Sequence, residues 1–120
     1  MKLSPHFDRE EFACKCPECN FDTVDVVLLQ VLEHIRLKYN SPVRINSGCR
    51  CPVHNKAVGG SKNSQHLYGR AADIVVDGVK AVDVYAWLDE TYSRRYGMGK
   101  YNTFTHIDTR NFKARWGDGS

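Results

Sequence analysis

The chain has 120 residues, 42% hydrophobic and 26% charged, the make-up of one globular domain with a single core and no room for two. Its formal charge of +3 is mild, and the lysines and arginines are scattered with Arg94-Arg95 as the one adjacent pair, so no nucleic-acid partner is expected. No apolar run approaches the ~20 residues of a membrane span, and Met1-Lys2-Leu3-Ser4-Pro5-His6 offers no signal-peptide core, which makes a cytoplasmic monomer the expectation for the chain as encoded.

In chain order, residues 1–20 read as an irregular entry segment containing Cys14-Lys15-Cys16-Pro17-Glu18-Cys19, with Phe7 and Phe12 as its anchors to the core. Val24, Val27, Leu28, Val31, Leu32 and Ile35 fall on one stripe at helical spacing and predict a helix over about 23–39, with Asp22 as N-cap and Asp25 near the positive end of the dipole. Asn40-Ser41-Pro42 ends it. Residues 43–47 alternate like a strand, and Gly48 opens a long loop over 49–65. Ala72 to Val76 reads as a buried strand, and Asp77-Gly78 as a turn. A second helix is expected over 80–92, then a turn or hairpin at Gly97-Met98-Gly99. Residues 103–109 alternate again, with Phe104, His106, Asp108 and Arg110 on one face. Residues 111–120 read as a loose tail with Trp116 as its anchor. The predicted fold is therefore one α+β domain over residues 1–120, a small antiparallel sheet flanked by helices.

The chemistry concentrates in Ser64-Gln65-His66-Leu67-Tyr68-Gly69-Arg70-Ala71-Ala72-Asp73. A carboxylate within a buried strand costs several kcal/mol unless it is paired, well hydrogen-bonded or bound to a metal. His66 and Asp73 are of ligand type for zinc, and His106 offers a third, the number a catalytic zinc needs beside its water. Asp108, two residues on from His106, could orient an imidazole or handle the water's proton. The ordinary readings are a loop histidine, an acid satisfied by Arg70 or backbone amides, and an Asp108 paired with Arg110. Spacing alone does not choose among them.

Five cysteines cannot all pair within one chain, and without a secretion signal thiols or metal ligands are favoured over a disulfide framework. Cys14, Cys16 and Cys19 have ligand-like spacing, and Cys51 or Cys49 could complete a four-thiolate site for a second, structural ion. The alternative is reduced thiols acting as small hydrophobes.

The wording of several blocks adds to this. Ile45-Asn46-Ser47-Gly48-Cys49-Arg50-Cys51-Pro52, His54-Asn55, Val58-Gly59-Gly60, the 64–73 block and Phe104-Thr105-His106-Ile107-Asp108 together resemble the zinc D-Ala-D-Ala carboxypeptidase family, in particular its small branch common in phages and prophages. The wider superfamily includes the Hedgehog signalling domain, and the resemblance covers about residues 5–110. It implies a Hedgehog/DD-peptidase-like fold and a catalytic Zn2+ on His66, Asp73 and His106. It also implies an Arg50 that points into the cleft, a Ser64 hydrogen-bonding near the ligands, and hydrolysis of a peptide bond in peptidoglycan stem peptides, reached after lysis or by another export route. Many relatives carry an acid three positions before the last histidine; here that position is Thr103, which leaves Asp108 as the candidate proton carrier. The same departure keeps open a zinc-binding structural module of this fold, phage-associated and catalytically weak. A third reading makes the cysteine cluster the main business, in a redox or nucleic-acid adaptor.

Overall fold

A computed structural model describes residues 2–14, 24–57 and 65–117 of the chain. Its elements are β1 (Lys2–Ser4), β2 (Phe7–Asp8), a 3-10 turn (Arg9–Phe12), α1 (Val26–Tyr39), β3 (Val43–Ser47), α2 (Pro52–Ala57), a second 3-10 turn (Gln65–Tyr68), β4 (Ala71–Val76), α3 (Ala81–Thr91), β5 (Gly97–Lys100), β6 (Thr105–Asp108) and β7 (Ala114–Gly117). Mixed helix and sheet confirm the α+β class. Among the described residues no helix is long and apolar enough to cross a membrane.

Helix α1 forms where the apolar stripe predicts. Leu28, Val31, Leu32 and Ile35 are its buried positions, each burial contributing roughly 1.5–3 kcal/mol. Its start differs from the sequence reading: Asp25 is the N-cap, its Oδ2 accepting the Leu28 N–H at 3.1 Å, while Asp22 lies outside the described residues. A carboxylate one turn before the first buried leucine satisfies an otherwise orphan amide there. Asn40 ends the helix in the left-handed region at φ 48°, a conformation asparagine tolerates better than most side chains.

The five-stranded sheet has the order β3-β4-β6-β5-β7. The first three pairings are antiparallel and the last, β5 with β7, is parallel. One face is apolar: Ala72, Ile74 and Val76 of β4, Met98 of β5 and Ile107 of β6 pack with α1, Val84 and Leu88 of α3, and Phe7 and Phe12 of the entry segment. The period-two alternation sends the intervening residues to the other face. There Asp73 pairs with His106, His106 with Gly99, Asp108 with Gly97, and Gly99 with Trp116. That second face carries the site.

The fold departs from the sequence reading in several places: the entry segment read as irregular carries β1, β2 and a 3-10 turn, and the loop read over 49–65 contains α2. Gly97-Met98-Gly99, read as a turn or hairpin, lies in the first strand of a hairpin, with β5 antiparallel to β6, and its glycines serve as bare ground for neighbouring side chains. A Cβ on Gly97 would lie 2.5 Å from both Asp108 carboxylate oxygens and from Arg110 Nε. The tail is also not loose throughout its described part. Residues 114–117 add the last strand, and Arg115 ties it down by donating to the carbonyls of Tyr92 at 2.9 Å and Tyr96 at 2.6 Å and to Asp89 at 2.6 Å, at the C-terminal end of α3.

Candidate metal centre

Two loops and two strands converge on three side chains. His66, only 3% exposed, sits on the 3-10 turn before β4 and sets its Nδ1 2.6 Å from the Gly48 carbonyl. A carbonyl only accepts, so Nδ1 donates there, and Nε2 is the nitrogen that a neutral ring would offer to an ion. That Nε2 lies 3.4 Å from Asp73 Oδ1. The same oxygen lies 2.9 Å from His106 Nδ1, and the two rings meet edge to face at 5.2 Å. Three candidate donor atoms, one from each residue, thus lie within 4.8 Å of one another, and theirs is the one cluster of three or more such groups among the described residues.

Two imidazole nitrogens and a carboxylate oxygen are the donor set of a zinc site with a position left for water. The far nitrogen of each ring is already held, by Gly48 for His66 and by Asp108 for His106, which is how proteins fix the tautomer and aim of metal-binding histidines. The residues fit the ion.

Electrostatics agree. Burial pushes the Asp73 carboxyl up, but hydrogen bonds and charge from His106 and His66 outweigh it and hold the group well below the usual carboxylate range. Burial likewise opposes charge on His106, yet Asp108 and Asp73 raise its pKa. The pair of carboxylates therefore favours a cation between them.

Arg50 reaches the same carboxylate from the other side. Its Nη2 donates to Asp73 Oδ2 at 3.3 Å, Nη1 to Asn55 Oδ1 at 3.2 Å and Nε to Ser47 Oγ at 3.1 Å. Its backbone N–H donates to the His66 carbonyl at 2.9 Å. Arg50 therefore lies beside Asp73, with three of its bonds spent on the site's own frame. The buried Asn55 was quoted there in the His54-Asn55 block without a role; its place under Arg50 depends on tertiary contact.

Asp108 is at the site too, against the other edge of the His106 ring. It is wholly buried, with Oδ2 2.7 Å from His106 Nε2 and 2.8 Å from Arg110 Nη2, and Oδ1 2.7 Å from Arg110 Nε. Burial pushes its carboxyl up, and His106 and Arg110 together bring it far below the ordinary value. It touches the ring edge that Asp73 does not, with both oxygens engaged. This geometry suits holding the ring. The strand alternation had already put Arg110 on the face of Asp108. Thr103, in the usual acidic position, is exposed in the bend before β6.

Of the cysteines, Cys14 accepts the Cys51 N–H on its sulfur at 3.4 Å, and Cys49 and Cys51 are buried nearby in sequence. Cys16, Cys19 and Ser64 lie outside the described residues.

Comparison with known proteins points the same way as the geometry. A stretch of 46 residues, 38% of this chain, is 41% identical to the zinc D-Ala-D-Ala carboxypeptidase of Streptomyces albus G, though it covers only 17% of that protein's length. The Peptidase M15 family matches residues 5–108, a span that holds all three candidate ligands together with Arg50 and Asp108. With nearly the whole chain matched, and the donors converging inside the matched span, the chain belongs to the Peptidase M15 family.

Proposed function

We propose that this protein is a zinc-dependent peptidase that hydrolyses a peptide bond in peptidoglycan stem peptides, of D,D-carboxypeptidase or endopeptidase type. The observation that carries the reading is the convergence of His66 Nε2, Asp73 Oδ1 and His106 Nδ1, with each imidazole's other nitrogen already engaged. These three would hold the ion, which when bound supplies an activated water and polarises the scissile carbonyl.

The chain's own residues do the rest. Arg50 holds Asp73 Oδ2 and so turns Oδ1 towards the imidazoles. A guanidinium has five N–H donors, and those beyond its three bonds would meet the substrate's carbonyl oxygen as charge develops there, or the terminal carboxylate of a peptide. Asp108 and Arg110 act on the other side, fixing the ring of His106. Neither places a free carboxylate by the reacting atoms.

That last point favours a second reading, a zinc-binding module of the same fold with weak or absent hydrolysis. Thr103 is exposed and has no acid to offer, and Asp108 is fully engaged. Metal analysis of the purified protein and of His66→Ala, followed by incubation with peptides ending in D-Ala-D-Ala and with isolated cell walls, separates the cases. The peptidase reading expects about one zinc per chain, lost in the variant, and release of new amino groups. Zinc without cleavage would establish the module, and no zinc at all would remove both. A count of about two ions that falls to one in Cys14→Ser would add a thiolate site, which the Cys51-to-Cys14 bond and the spacing of Cys16 and Cys19 support.

A further inference from the structure

Strand β7 alternates like its neighbours. Arg115 turns to the end of α3, so Trp116 turns to the face that holds the ligands. In register, Gly99 lies between Trp116 on one side and His106 on the other. Residues on strands two apart stand about 10 Å from each other across a sheet. The rings of Trp116 and His106 nevertheless come within 5.1 Å, because nothing stands on Gly99 to hold them apart. A Cβ there would meet Trp116 Nε1 at 2.5 Å.

The indole is itself fixed. Its N–H donates to the Tyr101 hydroxyl at 2.9 Å, and the Arg110 guanidinium lies 5.0 Å from its centre, in cation–π range. Tyr101 in turn stacks on Phe104 at 4.5 Å. His106 has a carboxylate at each of its nitrogens, Asp73 at Nδ1 and Asp108 at Nε2. Those two bonds fix the ring along the line between them and leave it able to rock about that line. Trp116 and the His66 ring, at 5.1 and 5.2 Å between ring centres, are the aromatic neighbours that limit the rocking.

We propose that Trp116 is a positioning residue for His106, so that the last strand of the sheet sets the affinity and geometry of the metal centre. The proposal rests on the metal reading above. Trp116 would act through His106 and through Arg110, which holds Asp108.

Cobalt titration against a competing chelator, read by the visible absorption of the Co2+-loaded protein, tests this without any assay of activity. Trp116→Ala is expected to weaken Co2+ binding about tenfold or more and to change the absorption bands, as loss of a partner that orients a ligand does. Trp116→Phe keeps a ring against His106 and is expected to recover most of the affinity. A folded Trp116→Ala with wild-type affinity and spectrum overturns the proposal, as does a variant that loses stability in the metal-free state with no change in either. If Trp116→Ala does not fold, Tyr101→Phe decides, since it only releases the indole N–H. Weaker binding with shifted bands supports the proposal, and an unchanged titration overturns it. Wild-type protein that takes up no Co2+ would instead overturn the metal reading on which the proposal stands.

Discussion

His66 rides on a short 3-10 turn between loops and is steadied by a neutral backbone carbonyl, whereas His106 stands within the sheet and is steadied by a buried, ionised carboxylate. The first half of the site is stitched together by a loop: Gly48 and Arg50 both reach the residue that the turn presents, and Arg50 goes on to Asp73. The second half is built from strand register, with Gly97 and Gly99 clearing ground for Asp108, Arg110 and Trp116. The two designs lead to different sensitivities. A carbonyl cannot be removed by substitution, so the loop half is vulnerable at Arg50. The sheet half depends on charges, and it is vulnerable at each of them and to pH.

The largest contrast is expected at Asp108. Asp108→Ala strips His106 of its partner and leaves Arg110, whose side chain is 22% exposed, without its buried counter-charge. Metal affinity should fall about 10–100-fold, and unfolding by denaturant should show a loss of about 2–3 kcal/mol, somewhat below the cost of breaking a fully buried pair. Equal affinity in the variant would show that the sheet half does not hold the ring. Arg50→Ala should come next, with metal affinity lowered about tenfold as Asp73 Oδ2 loses its guanidinium. Hydrolysis should suffer more than metal binding if the same guanidinium also meets the substrate. A drop in both by one factor would confine Arg50 to holding Asp73.

The smallest effect is a pH dependence that belongs to His106. Its pKa is raised, so in the metal-free protein the protonated ring contributes stability fully present below the unfolded value of ~6.5 and lost as pH rises through the folded value. An ion at Nδ1 must displace that proton. Metal affinity should therefore climb with pH and level off once the raised pKa is passed. Calorimetry at about pH 6 in buffers of different ionisation enthalpy should show protons released as the ion binds. No release at that pH would mean that the ring is neutral before the ion arrives.

How much of this was legible in the sequence depends on how local each cause is. The stripe of α1 and the burial of β4 are periodic, and period is visible in a linear string. The three candidate donors stood out through the resemblance of their blocks to a known family, since spacing alone did not choose among the ordinary readings. Arg110 on the face of Asp108 followed from alternation alone. Asp25 as cap was one turn from the position read, since either aspartate could serve and only the folded start of α1 decides. Strand β7 was not legible, and β5 only as one side of a turn or hairpin. Gly97-Met98-Gly99 carries a turn's composition, and its glycines answer to side chains that arrive from β6 and β7, which no local window contains. Ala114 to Gly117 has no alternating pattern of its own, and its partner strand lies across β6 in sequence. The Gly48 carbonyl, like every backbone atom, has no signature in residue identity at all.

The bare Cα of Gly99 has a consequence for how this sheet can vary over time. Any larger residue there would need the indole of Trp116 to withdraw, and a smaller residue at 116 would leave the imidazole uncovered until something grew at 99 to cover it. Two positions far apart in the chain thus share one allotment of space, and neither is free to drift alone. Sequences descended from a common ancestor with this one should exchange size between these two positions in pairs, which makes them a single heritable unit.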